Sequence, residues 1–372
     1  MRCSFDKYLA IARLQTGCSQ REVATELKVS SAGCDRDTEK LEESQKGIEA
    51  DILWPHADDC FIVNSALWSR IMNATQLQAR LREHRPDFIF MDDSAPAHRG
   101  RIIRERLLEA GRVDKGAFVD SLSPALDAFG LDGVFRVKER QHEGLATYFR
   151  RSKLKLLQQY DVMLSEALMT DPLHRELLEK VCSKPSLKEK IESRSTMLQV
   201  TVLQSLWDPS RILCVGNTHL YWHPKGGNVR LVQIAVALKH MKQIVTEKHP
   251  GAGLIFSGDF NSTPSSGLFQ LVCEGSVSEN HDDWASNGPE EQIQVGLMNP
   301  FQLASACGVP AFTNYVGGFQ GCLDYIFVEP HVLQVEQVIP LPSLQEVTTC
   351  VALPSVSHPS DHIALVCDLK WK

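Results

Sequence analysis

From Gly133 onward the chain alternates short apolar runs with polar, glycine- or proline-bearing turns, the pattern of strands and helices folded on a common core. The short runs predict strands over Gly133–Val137, Gly144–Arg150, Met197–Leu206, Ile212–Val215, Gly253–Phe256, Cys322–Val328 and His362–Leu369. Longer stretches predict helices over Phe118–Phe129, Leu154–Val181 and near Val229–Val245. Mixed strands with few helices between them favour two packed mixed β-sheets flanked by helices, a four-layer α/β sandwich.

The chain changes character near residue 110, which divides it into an N-terminal segment, 1–110, and a regular α/β domain, 111–372. Residues 17–30 place Ser19 as a cap before an amphipathic turn and look like part of a helix-turn-helix, with a plain surface helix as the alternative. Residues 31–50 are rich in Asp, Glu, Lys and Ser with little apolar periodicity, so they add little core. Then Arg85-Pro86-Asp87-Phe88-Ile89-Phe90-Met91-Asp92-Asp93 forms a short apolar strand ending in two carboxylates, followed by Ala97-His98-Arg99. This block resembles the second catalytic segment of mariner-type transposases. A transposase also needs a first Asp-bearing strand and a third carboxylate on a later helix, and neither is found. Residues 1–110 therefore read as a remnant or gene-fusion segment, with DNA binding as their one suggested activity.

Composition narrows the class. The chain is 43% hydrophobic and 23% charged, with no apolar run long enough to span a bilayer, so no membrane partner is expected. A net charge of −7 means that a nucleic-acid substrate needs a local basic surface or a bound metal. Eleven cysteines without a C-x-x-C pair, several inside apolar strands, read as reduced core cysteines of an intracellular protein. Residues 1–17 carry no continuous apolar core of a secretory signal.

The candidate chemistry lies at strand ends. In Ser257-Gly258-Asp259-Phe260-Asn261 the i, i+2 spacing puts Asp259 and Asn261 on one side of the chain. A carboxylate and an amide oxygen are hard ligands suited to Mg²⁺ or Mn²⁺, and Asp259 could instead orient or deprotonate a water. A turn in which both side chains cap their own backbone is the alternative. His219, in Asn217-Thr218-His219, ends the preceding strand, where it could donate to phosphate oxygens. Asp324 stands inside the apolar strand Cys322–Val328 and needs a partner. Asp361-His362, at the entry to the last strand, supplies one: an Asp324–His362 pair satisfies the carboxylate and fixes the imidazole tautomer.

Taken in order, Asn-x-His, Gly-Asp-x-Asn, Leu-Asp-Tyr-Ile-Phe and Ser-Asp-His resemble the motifs of the endonuclease/exonuclease/phosphatase superfamily. The stretches Asn217–Gly227, Thr313–Phe319 and Leu353–Lys372 look like its branch of mitochondrial 2′,5′-phosphodiesterases and deadenylases, with a match from about Val113 to Lys372. The resemblance implies a Mg²⁺-dependent phosphodiesterase or exoribonuclease acting on 2′,5′-oligoadenylate and 3′ poly(A) RNA, with Mn²⁺ as an alternative ion. It implies catalytic roles for Asp259, His219, His362 and Asp324, and metal contact by Asp259, Asn261 and Asp361. Asn217, Asn314 and Phe319 become candidate substrate contacts. A catalytically inactive RNA-binding derivative is the alternative function. Family resemblance points to the mitochondrial matrix, cysteine usage only to an intracellular setting such as the cytoplasm.

The pattern breaks upstream. The family carries two earlier strands, one with an Asn and one ending in Gln-Glu whose Glu is the principal metal ligand. Laid on Gly111-Arg112-Val113-Asp114, that Glu has become Arg112, which repels a divalent cation. In a competing register the strand Phe88–Asp93 takes its place, with Asp92 or Asp93 as the carboxylate. Unless residues 50–110 fill the gap, the sandwich lacks its N-terminal strands and exposes apolar edges.

Overall fold

Sixteen strands are defined in the computed structural model, which describes residues 59–65, 88–93, 123–127, 130–137, 144–349, 352–355 and 360–372. In chain order they begin with β1 (Asp59–Ser65), β2 (Phe88–Asp93), β3 (Leu131–Val137), β4 (Gly144–Arg150) and β5 (Leu154–Met163). Next come β6 (Met197–Ser205), β7 (Ile212–His219) and β8 (Gly253–Asp259), then the short β9 (Ser276–Val277), β10 (Leu297–Met298) and β11 (Ala304–Ser305). The last are β12 (Asn314–Val316), β13 (Phe319–Gly321), β14 (Asp324–Val328), β15 (Leu333–Val338) and β16 (Leu365–Trp371). The chain divides into two units, Met1–Ala57 and Asp58–Lys372, and every described residue belongs to the second. The possible helix-turn-helix at 17–30 and Arg112 lie outside the described residues.

Two six-stranded sheets carry the second unit, one ordered β15-β16-β1-β2-β4-β3 and the other β11-β14-β8-β7-β6-β5. Each is built round one parallel pair, β1 with β2 and β7 with β8, flanked by antiparallel strands. The gap foreseen upstream is filled: β1 and β2, both from before residue 110, occupy the middle of the first sheet. A fully paired centre removes the exposed edges that missing strands would have left.

The inner faces show the period of two that strands impose. Leu213 and Val215 of β7, Ile326 and Val328 of β14, and Leu365, Cys367 and Leu369 of β16 alternate into one buried cluster between the sheets. The other face of the second sheet, through Val200, Cys214, Phe256 and Phe327, packs on helices that include Leu164–Thr170, Arg175–Cys182, Gly227–Lys242 and Gly267–Glu274. With both faces covered, β8 is buried at every position, which is why it reads as a continuous apolar run. The helix Gly227–Lys242 is apolar nearly all round because sheet and helices enclose it. No helix among the described residues is long and apolar enough to cross a membrane.

One expectation is corrected. The predicted helix Leu154–Val181 is a strand over Leu154–Met163 before it becomes the helices Leu164–Thr170 and Arg175–Cys182. As the last strand of its sheet, β5 buries neither face fully, and a bulge between Leu156 and Gln158 breaks its alternation, so its leucines mimic helical spacing.

A polar clasp joins the sheets at one end. Thr147 Oγ1 on β4 donates to Gln199 Oε1 on β6 (2.8 Å), and Gln199 Nε2 donates to the Leu145 carbonyl (3.3 Å). Asn217 Nδ2 on β7 donates to the Ala146 carbonyl (3.1 Å). All three side chains are buried, so these bonds carry orientation as well as energy.

Away from this end, His174 is wholly buried with neither ring nitrogen hydrogen-bonded, its ring centroid 5.1 Å from that of His240. Burial, with the positive fields of His240 and Lys239, lowers its pKa to about 4. Below the ordinary value of 6.5 the unfolded chain binds a proton that the folded chain refuses, so stability falls with pH through the window from 6.5 to about 4. His174→Leu should flatten that acid limb, recovering on the order of 2–3 kcal/mol at its low end. Urea midpoints measured across the window check this; parallel profiles for the two proteins would refute it.

Candidate active site

Three strands of the second sheet deliver the central groups at one level. In the parallel pair β7/β8, Thr218 stands opposite Gly258 and His219 opposite Asp259; in the antiparallel pair β8/β14, Asp259 stands opposite Asp324. Residues in register on neighbouring strands share a face, so His219, Asp259 and Asp324 face together. Glycine is required at 258: its φ is +152°, and a Cβ there would lie 1.9 Å from the Thr218 carbonyl oxygen.

His362 enters from the segment before β16, bridged to Asn314 on β12. Its amide donates to Ser360 Oγ (3.1 Å), while Ile363 N donates to the Thr313 carbonyl (2.7 Å) and Tyr315 N to that of Asp361 (3.0 Å). Thus anchored, His362 Nδ1 donates to Asp324 Oδ2 at 2.8 Å. The other ring nitrogen, Nε2, lies 3.8 Å from Asp259 Oδ2, and His219 Nε2 lies 3.8 Å from the same oxygen. Two imidazole nitrogens therefore converge on one carboxylate oxygen.

Burial controls the charges. His219, Asp259, Asp324 and His362 are all buried. Burial opposes the imidazolium of His362, but the carboxylates of Asp324 and Asp259 outweigh it and hold its pKa well above the ordinary range. The Asp259 pKa is raised as well, here by burial itself: burial, opposed by His362 and reinforced by the charge of Asp324, lifts it to about 7. Two buried carboxylates against one imidazolium leave an excess negative charge, and Asp361 adds to it.

Such an excess suits a cation. Ligand atoms of Asp259, Asp324 and His362 lie within 4.8 Å of one another, the one group of its kind among the described residues. Since Asp324 and His362 already bond to each other, Asp259 is the member whose oxygens remain for a metal. Asn261 follows at φ +49°, its amide N donating to Asp259 Oδ1 (2.7 Å) and Nδ2 to the Leu220 carbonyl (3.0 Å). Asp361 is partly exposed and lies 3.4 Å from Asn314 Nδ2.

The remaining expected positions divide. Asn314 belongs to the cluster through Asp361 and His362. Phe319, at 44% exposure on β13, presents its ring from the same hairpin. Asn217 does not reach solvent; the expected substrate contact is replaced by its bond to β4 inside the sandwich. Asp92 and Asp93 end β2 in register with Ala146 and Leu145, the residues whose carbonyls take the Asn217 and Gln199 amides. Their backbone thus stops at the level of Asn217, two residues before His219.

Sequence reasoning missed two supports. Thr313 Oγ1, fully buried, accepts from the amides of Leu323 (2.9 Å) and Asp324 (3.1 Å) and so sets the dyad carboxylate's backbone. The Tyr325 hydroxyl lies within bonding distance of the Ser262 (2.8 Å) and Cys322 (3.0 Å) carbonyls, pinning the turn after Asn261. A hydroxyl flanked by Phe312 and Asn314 was the only signal for the first; the second read as a core aromatic.

The two-sheet sandwich is shared with solved structures. The structure of ANGEL2, described as a 2′,3′-cyclic phosphatase, superposes with TM-score 0.60 at 18% identity, covering 84% of this chain and 95% of that one. The human Nocturnin catalytic domain superposes with TM-score 0.52 at 17% identity, covering 87% and 98%. Residues 67–362 match the model of the endonuclease/exonuclease/phosphatase family, and the chain belongs to that family. Among curated relatives, the human 2′,5′-phosphodiesterase 12 is 63% identical over 260 residues, 70% of this chain and 42% of that protein. The fission yeast CCR4-Not complex 3′-5′-exoribonuclease subunit Ccr4 is 28% identical over 63% of this chain and 37% of its own length. The chain thus spans less than half the length of these relatives.

If the Asp324 carboxylate is what keeps His362 charged, Asp324→Asn should bring the His362 titration down by more than one pH unit, a unit being about 1.4 kcal/mol. Histidine Cε1–H NMR titration measures this, and an unchanged curve would assign the imidazolium to another cause.

Proposed function

We propose that this chain is a phosphodiesterase that cleaves RNA phosphodiester bonds, with 2′,5′-linked oligoadenylates and 3′ poly(A) as its substrate class. The observation that carries the proposal is the convergence of two imidazole nitrogens, each 3.8 Å away, on one oxygen of buried Asp259. A tetrahedral phosphate needs charged donors on its non-bridging oxygens and a base for the attacking water, and this arrangement offers both.

In the proposed reaction Asp259 takes the proton of the attacking water. Burial and the charge of Asp324 raise its pKa, which makes it a stronger base than an exposed carboxylate. The His362 imidazolium, oriented by Asp324, donates to a non-bridging oxygen as charge accumulates in the pentacovalent state, and His219 approaches from the other side. A divalent ion, Mg²⁺ with Mn²⁺ as alternative, would be held by Asp259, Asn261 and Asp361 and would supply Lewis-acid stabilisation of the phosphate oxygens. The register of β2 supports Asp92 or Asp93 as the further carboxylate in place of the family glutamate. Asn314 and Phe319, on the hairpin that anchors His362, would contact the base.

Incubation with 2′,5′-triadenylate and Mg²⁺ tests the reading. AMP release is expected, with Asp259→Ala slower by about 10³-fold; release no greater than that of Asp259→Ala would sink it in favour of a non-catalytic RNA-binding protein. Calorimetric Mn²⁺ titration tests the β2 carboxylates: the double change Asp92→Asn, Asp93→Asn should abolish the saturable heat, whereas Arg112→Ala should leave it. A parent without saturable heat that gains it on Arg112→Ala would instead put Arg112 in the site.

A further inference from the structure

The turn that follows His219 is fixed from the helix behind it. Leu220 N donates to the Asp259 carbonyl (2.9 Å), and the Leu220 carbonyl accepts from Asn261 Nδ2 (3.0 Å). On the next residue, Tyr221 N donates to Gln233 Oε1 (3.0 Å). Arg230 Nη1 donates to the carbonyls of both Tyr221 (2.9 Å) and His223 (2.7 Å). Arg230 and Gln233 stand three residues apart on the helix Gly227–Lys242, so they leave it on one face. Gln233 is held in turn, its Nε2 donating to Thr196 Oγ1 (2.9 Å) just before β6.

Stability alone does not explain an arginine here. The side chain is 7% exposed, and its Nε meets no hydrogen-bond partner among the described residues. Burial works against the guanidinium charge, which the fields of Asp283 and Asp259 support. Replacing a buried charge by an apolar side chain of similar volume is often neutral or stabilising for a fold, so the reason for Arg230 lies in what its bonds hold. They hold the surroundings of Asn261. That residue sits at φ +49°, in the left-handed region that a residue other than glycine keeps when its neighbours impose it. Two bonds do so: its amide N to Asp259 Oδ1 and its Nδ2 to the Leu220 carbonyl. The Leu220 carbonyl and the Tyr221 N–H belong to one planar peptide group, so whatever grips Tyr221 also aims Asn261. Gln233 grips that plane, and Arg230 grips the next one through the Tyr221 carbonyl. With Nδ2 committed to Leu220, Oδ1 is the end of the Asn261 amide that remains for a ligand.

We infer that Arg230 is a positioning residue of the active site: it clamps the turn Leu220–His223 from behind and, through the Leu220 carbonyl, aims the side-chain amide of Asn261. The inference rests on the phosphodiesterase reading above and deepens it by naming what sets Asn261. Arg230 itself touches neither substrate nor reacting atoms; a displacement of the turn by a fraction of an ångström reaches the chemistry through Asn261.

Two measurements separate this inference from the reading it rests on. In steady-state kinetics with 2′,5′-triadenylate, Arg230→Met should lower kcat about tenfold or more with KM changed by less than about twofold. Because Arg230 acts through Asn261, the same change made in Asn261→Ala should lower kcat by less than about twofold further. An unchanged kcat, or a loss of equal size in both backgrounds, would overturn the inference. The second measurement needs no turnover: the Leu220 and Tyr221 amides should exchange hydrogen about tenfold faster or more in Arg230→Met, while those of the helix Gly267–Glu274 exchange as in the parent. Unchanged exchange at both amides overturns the inference whether or not the parent hydrolyses RNA. A parent that hydrolyses nothing while these amides respond overturns the phosphodiesterase reading alone. If Arg230→Met loosens the whole fold, the helix amides report it, and Arg230→Lys, which keeps the charge without the rigid guanidinium, is read by the same criteria.

Discussion

Asp259 and Asp324 are two carboxylates buried in one layer of a β-sheet with a single imidazolium between them, and that imbalance organises the end of the molecule that matters. Isolated, either carboxylate would cost several kcal/mol in such surroundings. Together with His362 they form a chain in which one carboxylate is satisfied by a short hydrogen bond and the other is left wanting positive charge. The surrounding architecture serves that arrangement: a glycine that lets β7 and β8 close up, a threonine hydroxyl that holds the backbone of Asp324, and a hairpin that delivers His362 from the far end of the chain. The unsatisfied member is also the most useful one, because a carboxylate seeking charge is both a base and a cation ligand.

The pairing of strands shows where sequence is constrained and where it is not. The two parallel pairs sit at the centres of their sheets, but only β7/β8 brings reactive side chains to its end under family-like motifs. The other pair comes from the segment whose motifs are least like the family's, although β2 lies within the residues 67–362 that match the family model. Main-chain hydrogen bonding asks of a central strand only extended backbone and apolar side chains of suitable size. Many sequences can meet that demand; supplying a particular carboxylate at the strand's end is a separate and stricter requirement.

Much of this was readable in the residues. Strand ends carrying Asn-Thr-His, Gly-Asp-Phe-Asn and Ser-Asp-His are local patterns, and the partnership of Asp324 with His362 followed from the cost of leaving a charge alone in an apolar strand. What stayed hidden depended on who packs against whom. The strand Leu154–Met163 was mistaken for helix because an edge position leaves its leucines without a fixed inner face. The resemblance offers Asn217 as a substrate contact, whereas its side chain turns to the opposing sheet. Arg230 and Gln233, which hold the loop after His219, lie in a helix whose apolar surroundings gave no hint that their polar ends cross to another element.

The clasp formed by Thr147, Gln199 and Asn217 has a mechanical side. Apolar contact between two sheets resists separation, but it is non-directional and opposes sliding only weakly. Directional bonds from β4 to β6 and β7 sit at the end of the sandwich that carries His219 and Asp259, while the cluster around Leu213, Val328 and Leu369 is apolar, with the Arg211 guanidinium 5.9 Å from the Trp371 ring beside it. The clasp therefore resists sliding of one sheet over the other where the register matters most. Distances of a few ångströms among the reactive groups are thus kept by a joint, in the engineering sense, placed beside them, and not by rigidity of the sandwich as a whole.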